Sequence, residues 1–451
     1  MGLPEIIIEF KTKGVTAIKR SARGIVAIVL KDDTEEGQAL NIYKSVLDVD
    51  PTHFTARNYE YLKLVYEGSP AKTIVLKVAT TEENLNPQLK QLNDLKWNYL
   101  VIPGITDDEK TTVAAWIKEA RDDHHKTFKA VLPNCKGDHE GIINLTTDNI
   151  TSTLGTAAFS TAEYCCRIAG VLAGLSLARS CSYFELTDIT AADVPEDANE
   201  RIDNGELVIV FDGEKYKIGR GVNSLTSFTP EHGQDFSKIK IIEGVDLYQD
   251  DIRETFESSY VGKVINDYDN KQALVAAILA YHRELEGNVL DRTFDNTAAI
   301  DVEAQETYLQ SQGTDTSEMD ETALAQANTG SKVFITSNVK FVDAMEDLML
   351  REYLSCRKGG EALFASTRKP YAAMSPRAVE KALQRIGERA GETRRIYPHL
   401  MRHTFATNAL HGGMDITTIQ HLLGHSDPKT TLIYAELRPD AIRYAYEKVI
   451  A

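Results

Sequence analysis

Between residues 97 and 133 the chain spells out a strand, a helix and a second strand, and this pattern limits the possible folds more than any other. Trp97-Asn98-Tyr99-Leu100-Val101-Ile102 is apolar and aromatic and is stopped by Pro103-Gly104. Residues 107–124 then place Val113, Trp116, Ile117 and Ala120 at helical spacing, and Phe128-Lys129-Ala130-Val131-Leu132-Pro133 reads as a strand again. Strands joined by a helix of this length return as parallel neighbours through a right-handed crossover. A parallel sheet has to be covered by helices, so an α/β layer structure follows.

Other segments extend this frame. Residues 24–30 are an almost continuous apolar run before Lys31-Asp32-Asp33-Thr34, and residues 71–78 alternate as a strand does. Residues 160–179 are small and apolar and predict a helix suited to close interior packing. The apolar stretch inside it, residues 165–178, falls short of the roughly 18 residues of a membrane span and contains Arg167. Residues 207–211 and 216–218 flank Asp212-Gly213 and predict a β-hairpin. Helices are predicted over 251–267 and 271–286, a polar loop over 313–330, and a strand over 333–341. Gly219-Arg220-Gly221 lacks the third glycine of a dinucleotide loop. Glu5-Ile6-Ile7-Ile8-Glu9-Phe10 predicts an extended segment that can pair within its own domain or with another chain.

Charge divides the chain. Residues 355–451 hold 15 Lys and Arg against 9 Asp and Glu, a balance of +6, which leaves 35 basic and 58 acidic residues, or -23, in residues 1–354. Only the C-terminal part is suited to a phosphate backbone, and the longer part calls for protein partners. The five cysteines, Cys135, Cys165, Cys166, Cys181 and Cys356, show no C-x-x-C spacing and predict buried thiols, with no disulfide framework and no zinc. His124 and His125, adjacent on a predicted helix, face different sides of it, which is poor ligand geometry. No metal and no cofactor is expected. The first residues lack the basic and apolar regions of a secretory signal, so residence in the cytosol is expected.

Several stretches together resemble a contractile phage tail sheath protein of the kind found in defective prophages and phage-tail-like bacteriocins. They are Pro4-Glu5-Ile6-Ile7-Ile8-Glu9-Phe10-Lys11, the stretch from Thr16 to Ala27, Gly68-Ser69-Pro70, Gly219-Arg220-Gly221-Val222-Asn223-Ser224-Leu225, and Phe334-Ile335-Thr336-Ser337-Asn338-Val339-Lys340. The resemblance covers about residues 1–347. It implies an extended arm over 1–22, a β-rich N-terminal domain over 23–92, a central subtilisin-like α/β domain over 93–245, and a small α+β C-terminal domain over 246–347. It further implies rings of subunits around a tail tube, with terminal arms adding strands to neighbouring sheets. A central domain of this trace is not thereby a protease, since no Ser/His/Asp set is evident. One departure stands out: after Met345-Glu346-Asp347 such a protein is expected to end in a short extended arm, whereas Leu350-Arg351-Glu352-Tyr353-Leu354 reads as a helix.

The C-terminal segment, about residues 349–451, resembles the tyrosine recombinases of the phage integrase family. The likeness rests on His399-Leu400-Met401-Arg402-His403-Thr404, Leu422-Leu423-Gly424-His425-Ser426 and Thr430-Thr431-Leu432-Ile433-Tyr434, with an amphipathic helix at 375–390. His399 and Arg402 are three apart, hence on one helix face. In that family a tyrosine attacks a DNA phosphodiester to form a 3′-phosphotyrosyl link while cationic donors hold the phosphate. The resemblance assigns the nucleophile to Tyr434, a catalytic arginine to Arg402, and the phosphate-donating histidines to His399 and His425. Tyr444 and Tyr446 do not match in spacing. The family's first arginine and its hairpin lysine find no counterpart, because sheath-like sequence such as residues 301–307 and 332–340 stands where they belong.

The chain is therefore expected to be a multidomain α/β sheath-like body followed by a mainly α-helical recombinase fragment. Its expected function is that of a self-assembling sheath subunit, with homo-oligomers and a tube protein as partners, DNA contact through 355–451, and a final location in a phage particle. The alternative is a DNA strand-exchange enzyme acting through Tyr434. A third reading treats the join as two frames without functional relation.

Overall fold

The computed structural model describes Ile18, residues 22–230, 232–346, 375–389 and 404–406, Ile419 and Leu423. The segment at 6–10, most of 15–19, Cys356 and the helix-like 350–354 lie outside these residues. The chain divides into two compact units, Met1–Glu346 and Asp347–Ala451.

In chain order the first unit contains β1 (Ile25–Lys31), β2 (Leu40–Tyr43), α1 (Ala56–Glu67), β3 (Lys72–Val78), α2 (Asn86–Asn93), β4 (Tyr99–Val101), α3 (Asp107–Asp122), β5 (Lys129–Pro133), β6 (Ile142–Leu145) and β7 (Asp148–Ser152). There follow α4 (Thr161–Gly174), β8 (Ile189–Asp193), α5 (Ala198–Asp203), β9 (Glu206–Leu207), β10 (Ile209–Phe211), β11 (Tyr216–Ile218), α6 (Ile239–Ser259), α7 (Tyr268–Leu285), β12 (Thr297–Ile300), α8 (Val302–Ser311), α9 (Glu321–Gln326) and β13 (Ile335–Asn338). In the second unit the helix α10 spans Pro376–Arg389, and Ala406, Ile419 and Leu423 form a buried apolar cluster.

The strand, helix, strand pattern becomes β4, α3 and β5, with β4 and β5 parallel neighbours. They belong to a seven-stranded sheet of order β2-β3-β1-β4-β5-β6-β9, in which only β2 is antiparallel to its neighbour. Residues 23–92, expected to fold as a β-rich domain of their own, instead supply β1, β2 and β3 to this same sheet. The reason is visible in β1, whose residues from Ile25 to Leu30 are all buried. A strand apolar on both faces is stable only in the middle of a helix-covered parallel sheet. Its alternate side chains divide between two cores: Val26, Ile28 and Leu30 pack with Leu62, Val65 and Ile168 of α1 and α4, and Ile25, Ala27 and Val29 pack with Leu89, Val113 and Ile117 of α2 and α3.

The small residues of α4 have a steric purpose. A Cβ on Gly170 would lie 2.1 Å from the Val65 carbonyl oxygen, and one on Gly174 would lie 1.8 Å from that of Gly68. Helices α1 and α4 therefore touch backbone to backbone. A capping box, Thr106 with Glu109, starts α3. The hairpin of β10 and β11 forms as expected, although its turn is a four-residue loop in which Asp212 Oδ1 accepts from the amides of Glu214 and Lys215. The polar stretch 313–330 contains the short helix α9. All four described cysteines are buried.

Helix α6 begins at Ile239, twelve residues ahead of the predicted start at 251, and it carries the most consequential interaction in the body. Asp246 is fully buried. It accepts two hydrogen bonds from the Arg121 guanidinium, at 2.9 and 3.3 Å, and one from the Lys129 ammonium. Lys129, itself only 1% exposed, also pairs with Glu243 at 3.0 Å. Glu243 further receives Arg23 and the Tyr99 hydroxyl, and Arg121 reaches Glu140 at 3.2 Å. Burial pushes the Glu243 carboxyl up, but Lys129 and Arg23 outweigh it and hold the group down at about 2. Arg23, Tyr99 and Lys129 lie just before or at the start of β1, β4 and β5, so α6 is riveted across the N-terminal ends of three adjacent strands.

Two outcomes follow. Asp246→Ala takes the shared anion from two buried cations, leaving Lys129 only Glu243 and Arg121 only Glu140, and should cost roughly 3 kcal/mol, read as a lower urea midpoint. Since the folded pKa of Glu243 lies below its usual 4.5, its contribution is complete above that value and disappears as the pH falls towards 2. The acid limb of a stability titration should accordingly be shallower in Glu243→Gln than in the parent chain.

Candidate functional site

In a sheet of this kind, ligands and catalytic groups gather outside the C-terminal ends of the strands where the chain direction of travel reverses. Here that place is the end of β1, flanked by β3 and β4. Asp32 sits there, and its carboxylate is fully occupied. Oδ2 accepts from the Thr55 amide at 2.8 Å and from Asn58 Nδ2 at 2.7 Å, and Oδ1 accepts from the Thr34 amide at 2.9 Å. Burial raises this carboxyl, yet the bonds from Asn58, Thr34 and Thr55 prevail and lower it to about 2. The hydroxyl of Ser160, which caps α4, donates to Glu163 at 3.0 Å, and Glu163 is in turn held by Arg57 of α1 at 2.9 Å. No histidine is hydrogen-bonded to Asp32 or Ser160 among the described residues. Asp32 thereby holds the start of α1 against the end of β1, and the Arg57 to Glu163 pair holds α1 against α4.

One group of potential metal ligands exists among the described residues: Asp122, His139 and Glu140 bring one ligand atom each within 4.8 Å of one another. The Gly141 amide donates to His139 Nδ1 at 3.0 Å, which places the proton of the neutral ring on Nε2. That nitrogen faces Asp122 at 3.1 Å and so has no lone pair to offer a cation. The trio is an internal hydrogen-bond set joining α3 to the loop before β6.

His399, Arg402, His425 and Tyr434 all lie outside the described residues. What the second unit does show is α10, on which Arg377, Lys381 and Arg385 recur every fourth residue and are all exposed. That spacing aligns them on one helix face.

The feature with the clearest capacity to bind is the pair β12 and β13. These strands are antiparallel and, among the described residues, pair only with each other, from Thr297↔Asn338 to Ile300↔Ile335. Thr336, Ser337 and Asn338 are exposed. The pair rests on a relay from α6 and α7: the Ser337 hydroxyl lies 2.6 Å from that of Tyr248, and Tyr248 lies 2.8 Å from His282 Nε2. Burial lowers the His282 pKa, keeping the ring neutral. Among the described residues no third strand pairs with β12 or β13, and an edge left unpaired can accept further strands. The strand signal at 333–341 was legible beforehand; that its sheet has only two strands was not, because pairing depends on residues some forty positions away.

Comparison with known proteins agrees with this division. The Phage tail sheath protein central domain model matches residues 79–224 and the Phage tail sheath C-terminal domain model matches 231–355. The Phage integrase family model matches 303–440. The tail sheath protein of Clostridium phage phiCD119 is 34% identical over 363 residues, covering 78% of this chain and 99% of that protein. The tyrosine recombinase XerA of Thermococcus onnurineus is 47% identical over 75 residues, covering 17% of this chain and 26% of that enzyme; the chain thus spans about a quarter of the length of the recombinases it matches. In fold, the sheath tail protein from Desulfitobacterium hafniense superposes with a TM-score of 0.54 at 18% identity, over 66% of this chain and 94% of that one. The contracted helical sheath of the anti-feeding prophage gives 0.56 at 16% identity, over 77% and 98%. The sheath and integrase matches overlap between residues 303 and 355, and up to Glu346 the structure decides between them: α8, α9 and β13 are packed inside the first unit, with β13 paired to β12. Taken together, these findings establish that the chain belongs to the phage tail sheath proteins and carries a phage-integrase-family segment joined at its C-terminal side.

Proposed function

We propose that this sheath subunit polymerises by receiving strands from neighbouring copies on the open edges of β12 and β13, and that its recombinase-like segment carries out no strand exchange of its own. The observation that supports the first part is that, among the described residues, no third strand joins that sheet. Two strands of four residues are marginal alone, whereas added strands satisfy the edge amides and carbonyls and link one subunit to the next. The donor with the right composition is Glu5-Ile6-Ile7-Ile8-Glu9-Phe10. Its partners are then further copies and a tail tube. It is made in the cytosol of a bacterial host and ends in the tail particle.

The second part follows from the overlap of the two family matches. Residues 303–346 belong to the sheath body by their packing, so the family's upstream arginine and hairpin lysine have no place from which to reach Tyr434. Each missing donor of this kind costs roughly 10² to 10³ in rate. Contact with DNA is a separate matter. The exposed Arg377, Lys381 and Arg385 of α10, about 6 Å apart along the axis, favour a phosphate backbone, and the -23 balance of residues 1–354 opposes it.

In sedimentation velocity the purified chain should form large polymers. Ile7→Pro removes a donor from the exchanged strand and should weaken assembly by about tenfold or more, while an unchanged size distribution would contradict the strand-exchange reading. Incubated with a nicked suicide DNA substrate, the chain should give no covalent adduct; an adduct that disappears in Tyr434→Phe would show that the segment is active.

A further inference from the structure

Beside the start of α7 the body has a cleft of about 330 Å³, within the range of roughly 300 to 1,000 Å³ that small-molecule sites occupy. Phe256, Ile265, Leu274 and Val333 give it apolar walls, and Asn266 and Lys271 bring polar groups to it.

The lysine is the unusual member. Lys271 is only 2% exposed. Its ammonium has three N–H groups, and two of them go to Gln305 Oε1 and the Ala327 carbonyl, each at 3.1 Å. No carboxylate is paired with it among the described residues. Of the acidic residues just before it, Asp269 is exposed, and Asp267 is committed to capping α7, accepting from the Asn270 amide at 2.8 Å. Lys271 also stands in the first turn of α7, the end of a helix that already carries partial positive charge. Burial lowers its pKa accordingly. The amide is incomplete in the complementary sense. Asn266 Nδ2 donates to Thr329 Oγ1, the Gly330 carbonyl and the Lys332 carbonyl, which fixes the group and leaves Oδ1 buried without a donor.

A buried ammonium without a counter-ion and a buried amide oxygen without a donor are both costly. One kind of small molecule relieves both: a monocarboxylate whose apolar body covers the walls and which carries one N–H or O–H donor. A purely apolar ligand leaves both groups as they are. A phosphate brings a second negative charge, and Lys271 is the only cation among the lining residues. We propose that this cleft binds a small apolar monocarboxylate, with its carboxylate on Lys271 and its donor on Asn266 Oδ1. The proposal uses no part of the strand-exchange reading.

Equilibrium dialysis of the full chain reads bound and free ligand whatever the state of assembly. The probe is 3-indolepropionate, which has a carboxylate, an apolar ring and a ring N–H. Saturable binding is expected. The neutral amide of the same acid should bind about tenfold or more weakly, the loss that accompanies removal of a charge-assisted hydrogen bond. Methylation of the ring nitrogen should weaken the acid by about fivefold. Lys271→Met should abolish the preference for acid over amide. Ile265→Glu, at a position 76% exposed and therefore harmless to the fold, sets an anion at the mouth of the cleft and should weaken the acid several-fold while leaving the amide unchanged. No saturable binding, equal binding of acid and amide, or a preference for the acid that is undiminished in Ile265→Glu or in a folded Lys271→Met chain would overturn the proposal.

Discussion

The body of this protein depends on a single buried anion. Asp246, fully enclosed, satisfies Arg121 of α3 and Lys129 of β5 at once, and Glu243 one turn earlier gathers Arg23, Tyr99 and Lys129. Placing several charges in an interior is expensive unless each finds its partner, and here almost every oxygen and ammonium does. The return is positional: a helix from the C-terminal part of the body is locked across the starting ends of the central strands. Without that lock, α6 and the elements it supports would be free to shift against the sheet by any small repacking of apolar side chains.

A lattice that transmits movement from subunit to subunit needs bodies that are stiff inside and sticky at defined edges. The seven-stranded sheet answers the first need. Its strands are covered by α1 and α4 on one face and α2 and α3 on the other, and α1 and α4 meet at glycines whose replacement leaves no room. The proposed strand exchange would place the second need on β12 and β13, which pair only with each other among the described residues. At the end of β1, Asp32 is held by Asn58 of α1, which ties that helix to the sheet.

Much of the fold was legible from local pattern, because patterns of period 2 and 3.6 report burial directly. The β4, α3, β5 unit, the compact α4, the β10 and β11 hairpin and α7 all follow from such runs. Three features did not. The first twelve residues of α6 looked irregular because Gly244 stands among them, where glycine weakens a helix; the structure shows it pressed against Phe341 and Val289. Asp246 and Lys129 are 117 positions apart, and nothing local in either segment announces the other, although a lysine inside Phe128-Lys129-Ala130-Val131-Leu132 does signal a buried partner. Asn266 and Lys271 carry no motif at all, since their interest lies in what they lack. The recombinase-like residues are the reverse case: His399, Arg402, His425 and Tyr434 are assigned by resemblance to a family's motifs, and they fall outside the described residues.

The claim on which the rest turns is that residues 1–346 form a subunit that assembles with copies of itself in spite of the appended segment. Negative-stain electron microscopy of the purified full chain at physiological salt tests it most directly. Rings, tubes or stacked polysheath of regular diameter are the predicted result, and fields of uniform single particles at every concentration would contradict it.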